Sequence, residues 1–491
     1  MTPPTRWWQT EVRVRALPVA LLLVNACVYL ALSGGTPICF DDCVGYIGLM
    51  GKGSIGEYVQ AYQSMFRAWF VPVFFSLFGK YTLATASSVA LVQTVVLHLS
   101  WLLFAWAIAG LFRGWLARVA FVLVGLSMYA QQYYVLNKYL LSDSLAMSTV
   151  LWHLSTVVAF DRICARAGRW WSVALLVLTG LCAAGARDAN LSLVVLGGAY
   201  VAFVHGGLLA RRHLMAATLG LILVVVNQLS WARARHIATI PNIVVGFVLP
   251  SEPVRQFFVK RGLPASIAER GASFVSQPWC SADIQRIIEY RVAAAIPERE
   301  LKKASRIYAL WLATHPGYVL EHAYEDVECI LGQSFGSSGA LGPFKSATQD
   351  VLFTYPGDKV ITIQQGARRL APSDFVGVKA RLWLALAAAA VLGVTFARGR
   401  RGYEAPSLLL VLGGLSNAVA SYFADLWQTS EMMRHALVGS VLFNVGFVVS
   451  CFSVVALLMD RWRSSVGMKG APGAAAAASG PTSSGGSELV G

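Results

Sequence analysis

The stretch from residue 84 to residue 111, ATASSVALVQTVVLHLSWLLFAWAIAGL, contains no Asp, Glu, Lys or Arg. A helix needs about 20 mostly apolar residues to cross a hydrocarbon core of about 30 Å, so this stretch predicts a membrane span. The whole chain agrees, since 56% of its 491 residues are hydrophobic and 13% charged, against about 25% charged residues in a soluble domain. Charge this sparse excludes a disordered chain and a nucleic-acid-packaging protein, despite the formal net charge of +15.

Further apolar runs extend this prediction to an all-α polytopic membrane protein with about ten transmembrane helices. The predicted spans are residues 17–34, 84–111, 117–136, 142–160, 170–186, 190–208, 214–232, 380–397, 405–423 and 436–459.

The basic residues predict the orientation of these spans. With the N-terminus in the cytoplasm, every inner loop is basic, and the inner loops and tail hold sixteen of the 40 Lys and Arg. Lys and Arg mark cytoplasmic loops, so both termini are expected in the cytoplasm. Heavy use of Ala, Gly and Arg indicates a GC-rich bacterium, which makes the inner membrane the expected location.

The spans divide the chain into four parts. We expect a small periplasmic domain between spans seven and eight, with two surface helices at Ser281–Ala295 and Glu298–Thr314. The parts are an N-terminal transmembrane module (1–234) with a catalytic first outer loop (34–83), the periplasmic segment (235–376), C-terminal transmembrane helices (377–463) and a disordered cytoplasmic tail (464–491).

The eight cysteines divide by predicted side. Those in spans and inner loops are expected to be free thiols, whereas the outer ones can form disulfides whose pairing stays open. The outer cysteines are Cys39, Cys43, Cys280 and Cys329, and the others are Cys27, Cys164, Cys182 and Cys451.

The first outer loop opens with two adjacent carboxylates, Asp41 and Asp42, four residues before Tyr46. Adjacent carboxylates repel each other, so one is expected to have a raised pKa or a cationic partner, which suits a general base. Alternatively, both acids cap helix ends. Farther along, Ser54–Phe66 has the spacing of an amphipathic interfacial helix, followed by Trp69 as a belt residue.

Two further outer motifs hold acids and basic residues beside predicted span ends. Lys138 and Asp143 lie in the second outer loop, where Asp143 is either functional or an N-cap. The third outer loop holds Arg187, Asp188 and Asn190. A guanidinium binds two phosphate oxygens at once, so Arg187 is a candidate phosphate ligand, while Asp188 or Asn190 could cap the sixth span.

The last outer motif places Glu431, Arg434 and His435 at helical spacing i, i+3 and i+4. Glu431 and Arg434 could form only a local ion pair. We favour a functional role, because an ion pair alone does not call for the histidine.

Together, four motifs resemble those of the C-type (GT-C) membrane glycosyltransferases. The motifs are Asp42-x-x-x-Tyr46, Ser142-Asp143-Ser144-Leu145, Arg187-Asp188-x-Asn190 and Glu431-x-x-Arg434-His435. The resemblance covers the layout of the ten spans and implies transfer of a hexose or pentose from a polyprenyl-phosphate donor to a glycan or lipid acceptor. This would take place at the outer face of the membrane, with membrane lipids and no nucleic acid as further partners.

The resemblance also implies roles for these residues. Asp42 would be the base that deprotonates the acceptor hydroxyl, with inversion at the anomeric carbon. Asp41 would assist it, or Asp41 and Asp143 would hold a divalent cation, Mg or Mn; this alternative stays open. Basic and polar side chains would bind substrate and phosphate, and further acids would support them. The first group is Arg187, Arg434, His435, Lys138 and Tyr46, and the second is Asp143, Asp188 and Glu431.

Two other functions remain as alternatives. An O-antigen-type polymerase or ligase also has about ten spans and one large outer loop, and its basic residues cluster in that loop. Here Arg255, Arg261, Arg270, Arg286 and Arg291 lie there. A polytopic transporter would need a matched pair of interrupted spans, which the sequence does not contain.

Overall fold

The computed structural model describes nine stretches of the chain, almost all of them helical. They are residues 69–80, 82–126, 142–231, 243–249, 251–266, 297–325, 380–396, 404–425 and 429–465, with the single residues 20, 23, 240 and 327. These residues form helices and turns and no strand, in agreement with an all-α membrane protein. The predictions for span 17–34, for Ser281–Ala295, for the outer cysteines and for the tail beyond Ser465 fall outside them.

Fourteen α-helices are formed by the described residues. They are α1 (Phe70–Ser76), α2 (Leu83–Ala109), α3 (Trp115–Leu126), α4 (Asp143–Val158), α5 (Phe160–Ala167), α6 (Arg169–Ala186), α7 (Leu191–Val204), α8 (Arg211–Trp231), α9 (Glu252–Lys260), α10 (Glu298–Thr314), α11 (Pro316–Glu325), α12 (Ala380–Phe396), α13 (Glu404–Asp425) and α14 (Thr429–Ser465).

Four described stretches are long and apolar enough to cross a membrane, as expected for a multi-pass membrane protein. Each overlaps a predicted span. They are Ala84–Ala109, Arg169–Ala186, Ala405–Phe423 and Val438–Trp462. Three shorter apolar helical stretches also overlap predicted spans, namely Trp115–Gly125, Asp188–Val204 and Leu384–Gly393.

Helix α4 lies at the centre of the N-terminal helices. It packs against α2, α6 and α7, and every residue in it except Trp152 is buried. Its hydroxyl side chains bond within the helix, as when Ser148 donates to Ser144 O at 2.9 Å and Ser155 donates to Leu151 O. The predicted span 142–160 is interrupted at Ala159, where α4 ends and α5 begins.

Two contacts at the helix ends join residues that the predicted topology places on the same side of the membrane. At the end assigned to the cytoplasm, Arg162 Nη2 donates to the carbonyl oxygen of Ala107 at 2.8 Å. At the opposite end, the indole of Trp69 packs against Gly185. The first contact joins α5 to the end of α2 and the second joins Trp69 to the end of α6, and which end faces the cytoplasm stays a prediction.

The segment between α8 and α12, which is the predicted outer segment, folds against the C-terminal end of α13. Helix α10 has the bounds predicted from the sequence, Glu298–Thr314. Its Tyr308 is buried and donates its hydroxyl to the carbonyl oxygen of Phe423 at 2.9 Å. Burial raises the pKa of the Tyr308 phenol well above its ordinary value of 10.0, so the phenol remains a neutral donor at physiological pH. This bond anchors the outer segment beside the start of α14.

Helices α13 and α14 pack in an antiparallel arrangement with their backbones in close contact. Small residues allow such an approach in membrane helices. A Cβ atom on any of three glycines would meet the backbone of the facing helix, and the facing pairs are Gly414 with Phe443, Gly439 with Ala418 and Gly446 with Val411. The three pairs keep a constant register, which fixes the level of every residue on one helix relative to the other.

We therefore predict that Gly439→Ala destabilises the protein by roughly 1–3 kcal/mol, because the added methyl group overlaps backbone that cannot rotate away. Thermal unfolding of the purified protein in detergent measures the loss. Gly393→Ala on α12 is the control, since its Cβ would lie 3.5 Å from Val454, an ordinary contact. An unfolding midpoint unchanged by Gly439→Ala would contradict the close packing.

Candidate functional site

The structure describes only part of the predicted site in full. Four predicted site residues lie outside the described residues, and they are Asp41, Asp42, Tyr46 and Lys138. Glu431, Arg434 and His435 lie in the first two turns of α14, where only their helical position is described. Asp143, Arg187 and Asp188 are described with their side chains.

Asp143, at the start of α4, and Arg187, just after the end of α6, form a buried ion pair. Arg187 Nη1 donates to Asp143 Oδ1 at 2.8 Å, and the two side chains are 12% and 3% exposed. Asp143 is the first residue of α4, and Arg187 follows the last residue of α6 in extended conformation. The pair joins two motifs that are 44 positions apart in the sequence.

The interpretation of Asp143 as a helix N-cap is wrong. Ser142 occupies the N-cap position and makes no side-chain cap bond, while Asp143 lies in the first turn. A carboxylate there still benefits from the positive end of the helix dipole. Its described role is to hold the Arg187 guanidinium.

The residues after Arg187 form a short 3₁₀ turn, Asp188–Asn190, that leads into α7. Asn190 is buried and occupies the N-cap position of α7, but its side chain makes no cap hydrogen bond there. Its Nδ2 instead donates to the carbonyl oxygen of Ala183 at 3.1 Å, near the C-terminal end of α6. Asp188, the other capping candidate, is the first residue of this turn and is half-buried. The bond from Asn190 ties the turn to α6, and this fixes the direction in which Arg187 leaves that helix.

Sequence reasoning missed Asn417, which ties this turn to the C-terminal helices. Asn417 is fully buried on α13, and its Nδ2 donates to Ala189 O at 2.9 Å and to Asn190 Oδ1 at 3.3 Å. A signal was present, because an amide inside an apolar span is costly and commonly functional. The partner could not be read from the sequence, because it lies more than 220 positions away.

Trp69 packs against the C-terminal end of α6, close in sequence to Arg187. It was predicted as a belt residue, yet it is half-buried, with its indole against Gly185, two residues before Arg187. A Cβ atom on Gly185 would overlap the indole ring, so glycine is needed there. The end of the first outer loop therefore contacts the Arg187 motif directly.

The register of α13 and α14 places the last motif, which contains Arg434 and His435, at the same end of the helices. Continuing the α13–α14 register outward places Arg434 level with Phe423 and His435 level with Tyr422. These levels lie five or six residues beyond Asn417, which is about 8 Å along the helix axis. Arg434 and His435 thus lie at the same end of the helices as the ion pair.

The charges favour an anion over a metal ion. A guanidinium has five N–H donors, and the one bond described for Arg187 uses a single donor. Asp143 is a poor metal ligand, because its carboxylate is already neutralised by a guanidinium. Among the described residues there is no group of three His, Cys, Asp or Glu that could hold a metal, and Asp41 lies outside them. The Mg or Mn site at Asp41 and Asp143 stays a prediction.

A double-mutant cycle tests the ion pair. Asp143→Asn and Arg187→Gln should each destabilise the protein by about 3–5 kcal/mol, because each leaves a buried group without its partner. The double variant should lose less than the sum of the two single losses. Thermal unfolding in detergent measures all four proteins. Additive losses would show that the two side chains do not interact.

Comparison with known proteins gives little guidance. No protein-family model matches the sequence. A search of curated proteins also found no match. Among solved structures, the chain is similar to the archaeal oligosaccharyltransferase AglB from Archaeoglobus fulgidus, in complex with an inhibitory peptide and a dolichol-phosphate. The TM-score is 0.38 and the sequence identity 13%, over 93% of this chain. This chain spans about half (52%) of the length of that protein.

Proposed function

We propose that this chain is an integral-membrane glycosyltransferase. It moves a hexose or pentose from a polyprenyl-phosphate donor to a cell-envelope glycan or lipid acceptor at the outer face of a bacterial inner membrane. The observation that supports this most is the buried Asp143–Arg187 ion pair. Asn190 and Asn417 fix the turn that follows Arg187, and Arg434 lies at the same end of the helices. No part of the proposal depends on the likeness to a solved structure.

The reaction is a single displacement. Asp42 takes the proton from the acceptor hydroxyl, whose oxygen attacks the anomeric carbon of the donor sugar. The bond from that carbon to the phosphate oxygen breaks, and the polyprenyl phosphate leaves with inversion at the sugar. Asp41 assists the base, and Tyr46 contacts the acceptor.

Departure of the phosphate calls for fixed positive charge. The donor is a phosphodiester with one negative charge, and the leaving group is a monoester that approaches two, since its second pKa is about 6. Donors fixed in a water-poor site stabilise such developing charge most strongly. Arg187, Arg434, His435 and Lys138 supply these donors.

Asp143 acts through Arg187. A buried guanidinium without a partner would be costly in a site closed to water. The carboxylate keeps the resting site neutral and holds the planar guanidinium in one orientation, so its remaining N–H groups can face a phosphate. In the same way, Asp188 and Glu431 are assigned to support the basic residues near them.

A polymerase or ligase remains the alternative, and two of the five basic residues that suggest it are described with their partners. Arg255 pairs with Glu252 and donates to Leu249 O at 2.7 Å, and Arg261 lies 3.5 Å over the ring of Phe257. These contacts are all local to α9 and the residues beside it. Arg270, Arg286 and Arg291 lie outside the described residues.

The proposed base is tested by Asp42→Asn. We expect at least a 100-fold loss of transfer, because general base catalysis typically contributes about 10²–10⁴-fold. Transfer is measured as sugar incorporated into the cell envelope, with membrane insertion checked by immunoblot. Asp161→Asn, at the predicted cytoplasmic end, is the control and should transfer normally. Normal incorporation by Asp42→Asn would remove Asp42 as the base.

The donor class is tested in a strain that lacks the protein. Polyprenyl phosphate carrying a single sugar should accumulate, because its consumption stops while its synthesis continues. Thin-layer chromatography and mass spectrometry of extracted lipids identify the accumulated species. Accumulation of lipid-linked oligosaccharide repeat units would instead favour the polymerase or ligase.

A further inference from the structure

Two neighbouring buried polar atoms on α13 lack the hydrogen bonds that such atoms usually make. Asn417 Oδ1 and Ser421 Oγ have no partner among the described residues, and the two side chains are 0% and 1% exposed. Other buried serines in the C-terminal helices bond to their own backbone, as when Ser450 donates to Gly446 O and Ser453 to Val449 O. Ser421 does not make this bond, so its hydroxyl remains available.

The hydrogen-bond network fixes which atom of Asn417 is the unused one. Asn190 Nδ2 donates to Ala183 O, so Asn190 turns its Oδ1 toward Asn417. Asn417 must therefore present Nδ2 to that oxygen and to Ala189 O. The atom without a partner is then the carbonyl oxygen Oδ1, which can only accept a hydrogen bond.

Asn417 bonds to the turn that follows the predicted phosphate ligand Arg187, and Ser421 lies one helical turn away on α13. The two residues are four positions apart, so they share one face of α13. Ser421 thus lies between the level of Asn417 and the level of Arg434 and His435. The two atoms form a polar strip along α13 that leads from the ion pair toward these basic residues.

The chemistry of this strip fits a sugar and not a phosphate. An accepting amide oxygen repels phosphate oxygens but binds a ligand O–H, and a serine hydroxyl can either donate or accept. Asn417 and Ser421 are themselves uncharged, so the strip offers no positive charge of its own to an anion. Buried polar groups without partners are costly, and a sugar with adjacent hydroxyls satisfies both atoms at once.

We propose that Asn417 Oδ1 and Ser421 Oγ form a subsite that binds hydroxyl groups of the transferred sugar. This inference deepens the proposed function, because it assigns the sugar part of the donor to α13. It adds two residues that the motifs of the sequence do not contain. The subsite makes the protein bind a sugar-bearing lipid phosphate more tightly than the bare lipid phosphate.

The test compares two serines on one helix. Ser407 is also fully buried on α13 with an Oγ that has no partner among the described residues, but it lies at the opposite end of the helix. Ser421→Ala and Ser407→Ala therefore remove the same group from equivalent surroundings. Neither loses a described hydrogen bond, so both variants should unfold at or above the wild-type temperature.

Binding is measured on the purified full-length chain in nanodiscs by microscale thermophoresis. The probes are farnesyl phosphate, farnesyl-phosphoryl mannose and farnesyl-phosphoryl ribose. Wild type and Ser407→Ala should bind one sugar-bearing probe more tightly than farnesyl phosphate. Ser421→Ala should weaken binding of that probe about 5–10-fold, the effect of one lost hydrogen bond, and leave binding of farnesyl phosphate unchanged.

The outcomes separate this inference from the proposed function. Equal binding of the sugar-bearing probe by Ser421→Ala and Ser407→Ala overturns the subsite, even where transfer activity is present. A selective loss in Ser421→Ala supports the subsite, even where no transfer is detected and the proposed reaction fails. A wild type that binds none of the three lipids overturns both.

Discussion

The structure depends on a charge pair that is buried where two helices meet. Asp143 begins the most enclosed helix, and Arg187 leaves α6 in extended conformation to reach it. Removing either partner would strand a charge in apolar surroundings, so both helix ends are constrained together. Two further contacts limit the path of the chain after Arg187. Asn190 bonds to α6, and Asn417 bonds to the turn.

The packing of α13 against α14 extends this constraint to the last motif, which contains Arg434. Gly414 and Gly439 let the backbones of α13 and α14 touch, so the two helices cannot slide without a clash. Asn417 is bound to the N-terminal helices, and the register of α13 and α14 then sets the height of Arg434. A close interface of small residues thus sets the helical level of a residue that is remote in sequence from the ion pair.

Local patterns predicted much of the fold and only some of the site. Residues 84–111 and 170–186 were predicted as spans and are observed as Leu83–Ala109 and Arg169–Ala186, because length and hydropathy are local properties. Asp143 and Arg187 were each recognised as candidates, yet their pairing was not, since nothing in the sequence brings positions 44 residues apart together. Asn417 was missed for the same reason, as its function is defined by contacts across the helix bundle.

The neutrality of the ion pair explains how one site can serve two different parts of a donor. A lone arginine beside Asn417 would attract phosphate to the place where an amide oxygen and a hydroxyl need a sugar. In the proposed reaction Asp143 reduces that charge, so the phosphate would bind toward the basic residues farther out and the sugar hydroxyls would meet the uncharged strip on α13. Arg187 then contributes at the boundary, where its unused N–H groups gain most as negative charge grows on the leaving phosphate.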